Sequence, residues 1–311
     1  MSAYVAGVDG GQSSTLAVIV REDGRLIGRG SAGPAAHVDE PPGATTAADA
    51  VASAVGAALG AAGLPAETTL DAVRIGLSGW DDHFDGVLPA LRARSVRLSH
   101  DATIALAGAV PSRPAVVVIA GTGSVAYGEG LGGGAVRLGG WGYLFGDPGS
   151  AFAVARDALA TAMRADDAGA RHPLGLAALA YFDRPDLRAL ASAAIQGRIA
   201  RSALAGFARV VFDAARLGDA DAIAIVESAA GALAELAAAA LRRLDADGPV
   251  QVAFTGGLVA NEAFRADVHE RLAVLASSAV AVAPRYEPAV GAALLAFGDA
   301  GLVAPEHVVE R

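Results

Sequence analysis

Two similar rounds of hydrophobic and polar positions follow each other along the chain. Each round opens with three short apolar runs separated by glycine-containing turns, a pattern that predicts three consecutive antiparallel strands. Apolar residues at i, i+4 spacing, such as Ala47, Val51 and Val55, then indicate a helix. The predicted order in each round is βββαβαβα, so we expect an α/β fold in which one unit is duplicated.

The predicted elements divide the chain near residue 110. In the first half the predicted strands cover residues 4–9, 14–21, 25–30, 74–78 and 96–99, and the helices cover 47–59, 85–92 and 101–110. In the second half the strands cover 116–120, 125–128, 135–138, 250–255 and 280–283, and the helices cover 262–275 and 289–297, with a helical insertion at about 150–245. We expect domains at 1–110 and 111–311, a last helix at about 289–298 that packs back on the first domain, and a ligand cleft between the two domains.

Composition limits the possible partners. The 311 residues are 53% hydrophobic and include no cysteine, which excludes disulfides, thiolate nucleophiles and cysteine-ligated metal clusters. The formal charge of -9 comes without a basic stripe, so we expect no nucleic acid and no membrane as partner. No uninterrupted apolar run has the length of a membrane helix, and the start MSAYVAGVDGG lacks the pattern of a signal peptide, so we expect a cytoplasmic protein.

Glycine turns that follow predicted strands are candidate nucleotide contacts. They lie in GVDGGQSST at residues 7–15, in AGTGSVAYG at 120–128 and in FTGGLVANEAF at 254–264. Free backbone N–H groups in such turns can hold phosphate oxygens, and a helix start adds its positive dipole end. The donors of the first turn are Gly10, Gly11, Gln12, Ser13 and Ser14. A plain β-hairpin is the alternative for that turn, but equivalent turns in a duplicated unit favour a nucleotide site.

Two aspartates at strand ends are candidates for the chemistry. Asp9 ends the first strand and can hold Mg²⁺ through water, because this ion keeps much of its hydration shell. Asp101, in SHDATIALAGA, begins a helix and can take the proton of a substrate hydroxyl. A helix N-cap is the alternative role of Asp101.

The combination GVDGGQSST, HDA, GTGS, GGWGYLFGDPGSAF and TGGL resembles the BadF/BadG/BcrA/BcrD ATPase and N-acetylglucosamine kinase family of the actin-like, sugar kinase and heat-shock ATPase superfamily. The resemblance runs from Gly7 to about Ala296. It implies two ribonuclease H-like domains around a nucleotide and sugar cleft, ATP and Mg²⁺ as cofactors, a small-molecule sugar as substrate, and a homodimer. The departures from the family pattern are Ala36, Val125, Tyr143 and Pro148, which fall on or beside the sugar side.

The resemblance also implies roles for individual residues. Asp101 would be the general base on the sugar 6-hydroxyl, and Asp9 would position Mg²⁺. The implied nucleotide and phosphate contacts are Gly10, Gly11, Gln12, Ser13, Ser14, Thr122, Gly123, Gly256 and Gly257. The implied substrate side comprises His37, Ser124, Gly140, Trp141, Asp147 and Ala151, with Trp141 as a packing platform beneath the glycine loop and a surface position as the alternative for His37.

The leading hypothesis is therefore an ATP-dependent kinase that phosphorylates N-acetylglucosamine or glucosamine at the 6-hydroxyl. A non-catalytic sugar or nucleotide sensor on the kinase fold is the second hypothesis. An ATPase that activates a dehydratase or reductase is the third, and it is disfavoured because such activators share a cysteine-ligated cluster, whereas this chain has no cysteine.

Overall fold

The computed structural model describes residues 2–35, 44–80, 89–244 and 246–310. The strands are β1 Tyr4–Gly10, β2 Thr15–Arg21, β3 Arg25–Ala32, β4 Ala72–Leu77, β5 Val96–His100, β6 Ala115–Ala120, β7 Ser124–Glu129, β8 Ala135–Gly139, β9 Val250–Thr255, β10 Ala279–Val282 and β11 Val309–Glu310. The helices are α1 Thr46–Ala61, α2 Asp101–Ala109, α3 Ala151–Asp167, α4 Pro173–Phe182, α5 Leu187–Ile195, α6 Arg201–Gly206, α7 Ala208–Arg216, α8 Ala220–Leu244, α9 Glu262–Leu275 and α10 Pro288–Asp299. The chain divides into two compact units, Met1–Val117 with Val282–Arg311, and Val118–Ala281.

The first unit is built on a six-stranded mixed sheet with the order β11-β3-β2-β1-β4-β5. Strand β1 runs antiparallel to β2 and parallel to β4, and β4 runs parallel to β5. On one face of the sheet Val8, Ile19 and Ile75 pack with α1, and on the other face Val5 and Val18 pack with α10. Because helices cover both faces, the central strands are apolar on both sides, as a parallel arrangement requires.

Helix α10 belongs to the first unit because it approaches β1 and α2 closely. A Cβ at Gly7 would lie 2.0 Å from the backbone oxygen of Ala289, and a Cβ at Gly291 would lie 2.1 Å from the backbone oxygen of Ile104. Both contacts need a glycine. The predicted second domain, residues 111–311, included this segment and had its last helix packed back on the first domain, whereas the contacts in the structure place the whole segment Val282–Arg311 in the first unit.

The second unit contains a five-stranded sheet with the order β10-β9-β6-β7-β8 and the helices α3 to α9. The two sheets have the same strand order when each is followed from the third strand of its unit. This order is β3-β2-β1-β4-β5 in the first sheet and β8-β7-β6-β9-β10 in the second. This common order confirms the predicted duplication of one α/β unit.

Some predicted element bounds were wrong. The predicted helix at 85–92 lies partly outside the described residues, and its described part, residues 89–92, is not helical. Helix α10 continues through Gly298 to Asp299, and the glycine with positive φ that follows it is Gly301, at φ 71°. Strand β11 was not predicted, because two exposed residues carry no periodicity.

Helix α8 is long and apolar enough to span a membrane by length and composition, with a hydropathy of 1.6. The helix contains no uninterrupted apolar run of that length, because Asp221, Glu227 and Glu235 interrupt it; the alanines between them keep the mean hydropathy high. Leu233, Ala237 and Leu241 of α8 are buried, and the helix packs against α9, β7 and β8. These contacts are those of a core helix.

Candidate active site

The turn after β1 presents unpaired backbone donors. Gly11 N–H donates to the carbonyl of Ser14 over 3.0 Å, which closes a tight turn. No backbone acceptor within the described residues takes the N–H groups of Gln12 and Ser13. At Gly10 a Cβ would lie 2.5 Å from Cδ2 of Leu77, so the turn is held against the end of β4. The arrangement can bind phosphate oxygens through main-chain N–H groups.

Asp9 is the most perturbed carboxyl of this turn. Burial, then the negative charges of Asp101 and Glu287, raise the pKa of Asp9 to about 7. Glu287 precedes α10 and forms an ion pair with Arg29. Burial, with repulsion from two further carboxylates of the first unit, therefore holds a proton on Asp9 up to near neutral pH, and a cation near Asp9 would relieve the repulsion.

Asp101 has a different polar neighbour at each carboxylate oxygen. Ser78 Oγ donates to Oδ2 of Asp101 over 2.6 Å. Oδ1 of Asp101 lies 2.6 Å from Nδ1 of His100, and the same nitrogen lies 3.1 Å from the backbone nitrogen of Ala102, whose N–H it accepts when it carries no proton. Apart from His100, no group of the described residues donates to the buried Oδ1. Such an oxygen can accept the proton of a bound hydroxyl.

The structure also decides the alternative role of Asp101. His100, whose side chain accepts the N–H of Ala102, is the N-cap of α2, and Asp101 is the first helical residue. The N-cap interpretation of Asp101 was therefore wrong. Sequence reasoning missed Ser78 and His100; both lie at the carboxyl ends of neighbouring parallel strands, where Leu77 pairs with His100.

His37 and Ala36 lie outside the described residues. The other predicted substrate-side residues, Ser124 to Ala151, all belong to the second unit.

The turn after β6 is tied to the start of α3. The carbonyl of Gly121 accepts the N–H of Ala151 over 2.9 Å, and the carbonyl of Thr122 accepts the N–H of Phe152 over 3.3 Å. A Cβ at Gly123 would lie 2.7 Å from Oδ2 of Asp147, so this carboxylate would have to shift for any larger residue. Thr122 and Gly123, predicted to contact nucleotide, are thus adjacent to Asp147, predicted to contact sugar.

Residues 139–151 form what we call the sugar-wall loop. Asp147 in this loop is 4% exposed and adopts a positive φ of 56°. Burial raises the pKa of Asp147, while a backbone hydrogen bond from Ser124, the charge of Arg201 and a backbone hydrogen bond from Gly142 oppose that shift. Gly140, at φ 66°, donates its N–H to the carbonyl of Ser124 over 3.0 Å.

Two residues of this region have surroundings that the sequence did not predict. Trp141 is 77% exposed, so its assignment as a packing platform was wrong; the loop turns its large side chain outward. Ser124 is buried at 3%, and its hydroxyl donates to the carbonyl of Pro148 over 2.7 Å, which fixes the loop. Leu144 and Phe145 are exposed on the same loop.

The turn after β9 packs against the turn after β6. Gly256 has a φ of 103°, and a Cβ there would lie 2.4 Å from the carbonyl oxygen of Ala120. Leu258 N–H donates to the same oxygen over 3.2 Å. A Cβ at Gly257 would meet nothing within 4 Å, so its surface is open. The glycine turns of the second unit, which carry Thr122, Gly123, Gly256 and Gly257, are therefore brought together.

Two α/β units of one strand order, each with a glycine turn after its first strand, define the class of actin-like ATPases and sugar kinases. The chain belongs to the BadF/BadG/BcrA/BcrD ATPase family, whose sequence profile matches residues 6–296. The family predicted from the motifs is thereby confirmed.

Named relatives lie within the same group. An N-acetylmuramic acid/N-acetylglucosamine kinase of Clostridium acetobutylicum is 31% identical over 163 residues, which are 52% of this chain and 53% of that protein. The chain thus spans about half the length of this curated relative. An N-acetyl-D-glucosamine kinase of Dictyostelium discoideum is 28% identical over 246 residues, 75% of this chain and 77% of that protein.

Solved structures agree on the fold. A crystal structure from Chromobacterium violaceum, of a protein assigned as an N-acetylglucosamine kinase, superposes with a TM-score of 0.76 at 30% identity and covers 94% of this chain and 98% of that one. A glucokinase of the ROK family from Streptomyces griseus, solved with glucose and AMPPNP, has a TM-score of 0.55 at 19% identity and covers 95% and 100%. The latter likeness concerns the fold alone.

Proposed function

We propose that this protein is an ATP-dependent sugar kinase that transfers the γ-phosphoryl group of ATP to the 6-hydroxyl of an amino sugar, with N-acetylglucosamine or glucosamine as the first candidates. Membership of the family and the names of its relatives support the reaction class. The observation that carries the proposal is Asp101, whose Oδ2 accepts the hydroxyl of Ser78 while its buried Oδ1 has only Nδ1 of His100 beside it among the described residues.

In the proposed reaction Asp101 accepts the proton of the sugar hydroxyl as that oxygen attacks the γ-phosphorus. A new phosphorus–oxygen bond forms, the bond to the bridging oxygen of ADP breaks, and its electrons stay on ADP. Phosphoryl transfer requires mainly alignment and charge stabilisation from the protein. The N–H groups of Gln12 and Ser13 are the donors that we assign to phosphate oxygens, with the turn around Thr122 and Gly123 as a second set.

Asp9 is the residue that we assign to Mg²⁺. In the described part of the chain no three carboxylate, histidine or cysteine side chains converge on one point as a protein-only metal cage. This donor set fits Mg²⁺, which takes one or two carboxylates, phosphate oxygens and several waters. The repulsion that Asp101 and Glu287 exert on Asp9 also favours a cation there. When bound with ATP, Mg²⁺ supplies neutralisation of phosphate charge.

The remaining parts of the proposal concern the sugar side and the setting. Gly140, Asp147 and Ala151 of the sugar-wall loop, with Ser124, are assigned to sugar binding, and Gly256 and Gly257 to the adenosine. We place the reaction in the cytoplasm, where ATP is available, and in a homodimer. Size-exclusion chromatography with light scattering measures the oligomeric state directly.

A coupled ADP-release assay over glucosamine, N-acetylglucosamine, N-acetylmannosamine, N-acetylmuramic acid and glucose tests the proposal. We expect ADP release that depends on an amino sugar, and we expect Asp101→Asn to lose most turnover while its affinity for ATP stays within about threefold. An equal rate in this variant would remove Asp101 from the mechanism. Tight sugar binding without turnover in the parent protein would favour the sensor hypothesis instead.

A further inference from the structure

Arg201 is a cation beside the sugar-wall loop, and no carboxylate of the described residues is in contact with it. It is the first residue of α6 and lies with its guanidinium carbon 5.2 Å from the centre of the Tyr143 ring. Phe152 also packs edge-on against that ring, at 5.1 Å between centres. Tyr143 is therefore in contact with both side chains, and its ring attracts the guanidinium of Arg201.

The hydrogen-bonding groups of Arg201 are not used by the described protein. Its Nε is buried and has no acceptor. No carboxylate of the described residues lies within salt-bridge distance of its guanidinium, in contrast to Arg74 with Asp299 and Arg271 with Asp267. A buried donor without an acceptor is rare in folded proteins and calls for an explanation.

Arg201 also acts on the interior of the loop. Its positive charge opposes the rise in the pKa of the buried carboxyl of Asp147. Oδ2 of Asp147 lies 2.7 Å from the position that a Cβ at Gly123 would occupy. The cation is thus close to the residues that we assign to the sugar, although it does not form an ion pair with Asp147.

We infer that Arg201 binds a carboxylate carried by the amino sugar, so that an acidic amino sugar is preferred over its neutral counterpart. The inference rests on the proposed function. A guanidinium with free donors and a planar fork matches the two oxygens of a carboxylate. The contact with the Tyr143 ring orients the guanidinium of Arg201 before the sugar binds, so less side-chain entropy is lost on binding.

A phosphate of ATP is the other source of the same oxyanion chemistry. The observations favour the sugar, because Arg201 contacts Tyr143 of the sugar-wall loop. Among the described residues, no hydrogen bond joins Arg201 to the turns that we assign to phosphate, at Gln12 and Ser13 and around Thr122 and Gly123. The two sources predict different kinetic effects of one substitution.

The test compares Arg201→Ala, Arg201→Lys and the parent protein on N-acetylmuramic acid and N-acetylglucosamine, which differ by one carboxylate-bearing ether. We expect Arg201→Ala to lose roughly 10- to 100-fold in kcat/KM for the acidic sugar and at most about threefold for the neutral one. Arg201→Lys restores part of the preference, and KM for ATP stays within about twofold. Arg184→Ala is the matched control: its Nε is also buried without an acceptor, but its Nη1 donates to the carbonyl of Asp183.

An equal loss on both sugars would overturn the inference and assign Arg201 a structural role. A loss that appears in KM for ATP would overturn it in favour of a phosphate contact. If the parent protein phosphorylates neither sugar, the proposed function fails. The rise in Tm that each sugar produces without ATP then still tests whether Arg201 binds the carboxylate. A larger shift with N-acetylmuramic acid that Arg201→Ala abolishes is expected; equal shifts in both proteins would contradict it.

Discussion

The carboxyl of Asp9 predicts an unusual response of stability to pH. Its pKa rises from 3.8 to about 7 because the group is buried near Asp101 and Glu287. At about 1.4 kcal/mol for each pKa unit, this shift of about three units means that the ionised group destabilises the first unit by about 4 kcal/mol. The folded state binds the proton of Asp9 more tightly than the unfolded state, so the contribution of Asp9 to stability is most favourable below pH 3.8 and becomes less favourable until the pH passes about 7.

Asp9→Asn removes this ionisation while keeping the shape of the protonated carboxyl. We expect the variant to be more stable than the parent by about 2–4 kcal/mol at pH 8, and by about half as much at pH 5, because much of the penalty develops between these values. For a chain of this size the gain at pH 8 corresponds to a rise in Tm of about 3–6 °C. The assay is thermal unfolding followed by circular dichroism at both pH values, without nucleotide or Mg²⁺.

The control variant is Asp23→Asn in the same unit. The side-chain hydrogen bond from Arg21 lowers the pKa of Asp23 to about 2, so this substitution should not stabilise the protein at pH 8. The reasoning is refuted if Asp9→Asn melts no higher than the parent at pH 8, or if its advantage is the same at pH 5. Asp9→Asn should also lose kinase activity. A variant that is more stable but inactive would show that the Asp9 carboxylate is kept for function at a cost in stability.

Two further substitutions test the packing and the base. Gly291→Ala should destabilise the protein by about 3 kcal/mol in urea unfolding, because its Cβ would lie 2.1 Å from the backbone oxygen of Ile104. Gly298→Ala in the same helix is the control: its Cβ would meet nothing within 4 Å, so this substitution should be neutral or slightly stabilising. Equal effects of the two substitutions would contradict the close packing of α10. Ser78→Ala should lower kcat roughly 10- to 100-fold with little change in KM for sugar, because Oδ2 of Asp101 loses its 2.6 Å hydrogen bond. Ser99→Ala, whose hydroxyl makes only a 3.5 Å contact with the carbonyl of Ile75, is the control, and a matching loss of kcat in it would speak against a positioning role of Ser78.

Much of the fold follows from local pattern. The apolar runs that predicted three strands in each half correspond to β1 to β3 and β6 to β8, because alternation and glycine turns are encoded within a few residues. The last helix was expected to pack back on the first domain, but the close contacts of α10 do not follow from local pattern. They depend on the fit between Gly7 and Ala289, which are far apart in sequence and whose contact no periodicity reveals.

The candidate site shows the same division. Asp9 and Asp101 could be predicted because each ends a strand or begins a helix next to a recognisable motif. Ser78 and His100 could not, since their meeting depends on the parallel register of β4 and β5. Arg201 lies in the helical insertion, about sixty residues beyond Tyr143 in the sequence, and only the fold brings the two side chains together. The roles assigned to the glycine turns stay predictions.

The central claim is that the protein moves a phosphoryl group from ATP to the 6-hydroxyl of an amino sugar. Phosphorus–proton correlation NMR of the product made from ATP and N-acetylglucosamine tests it most directly, because it identifies the carbon that carries the phosphate. The account predicts coupling from phosphorus to the two protons on C6 and no such product with Asp101→Asn. Phosphate found on C1, or only as free inorganic phosphate, would contradict it.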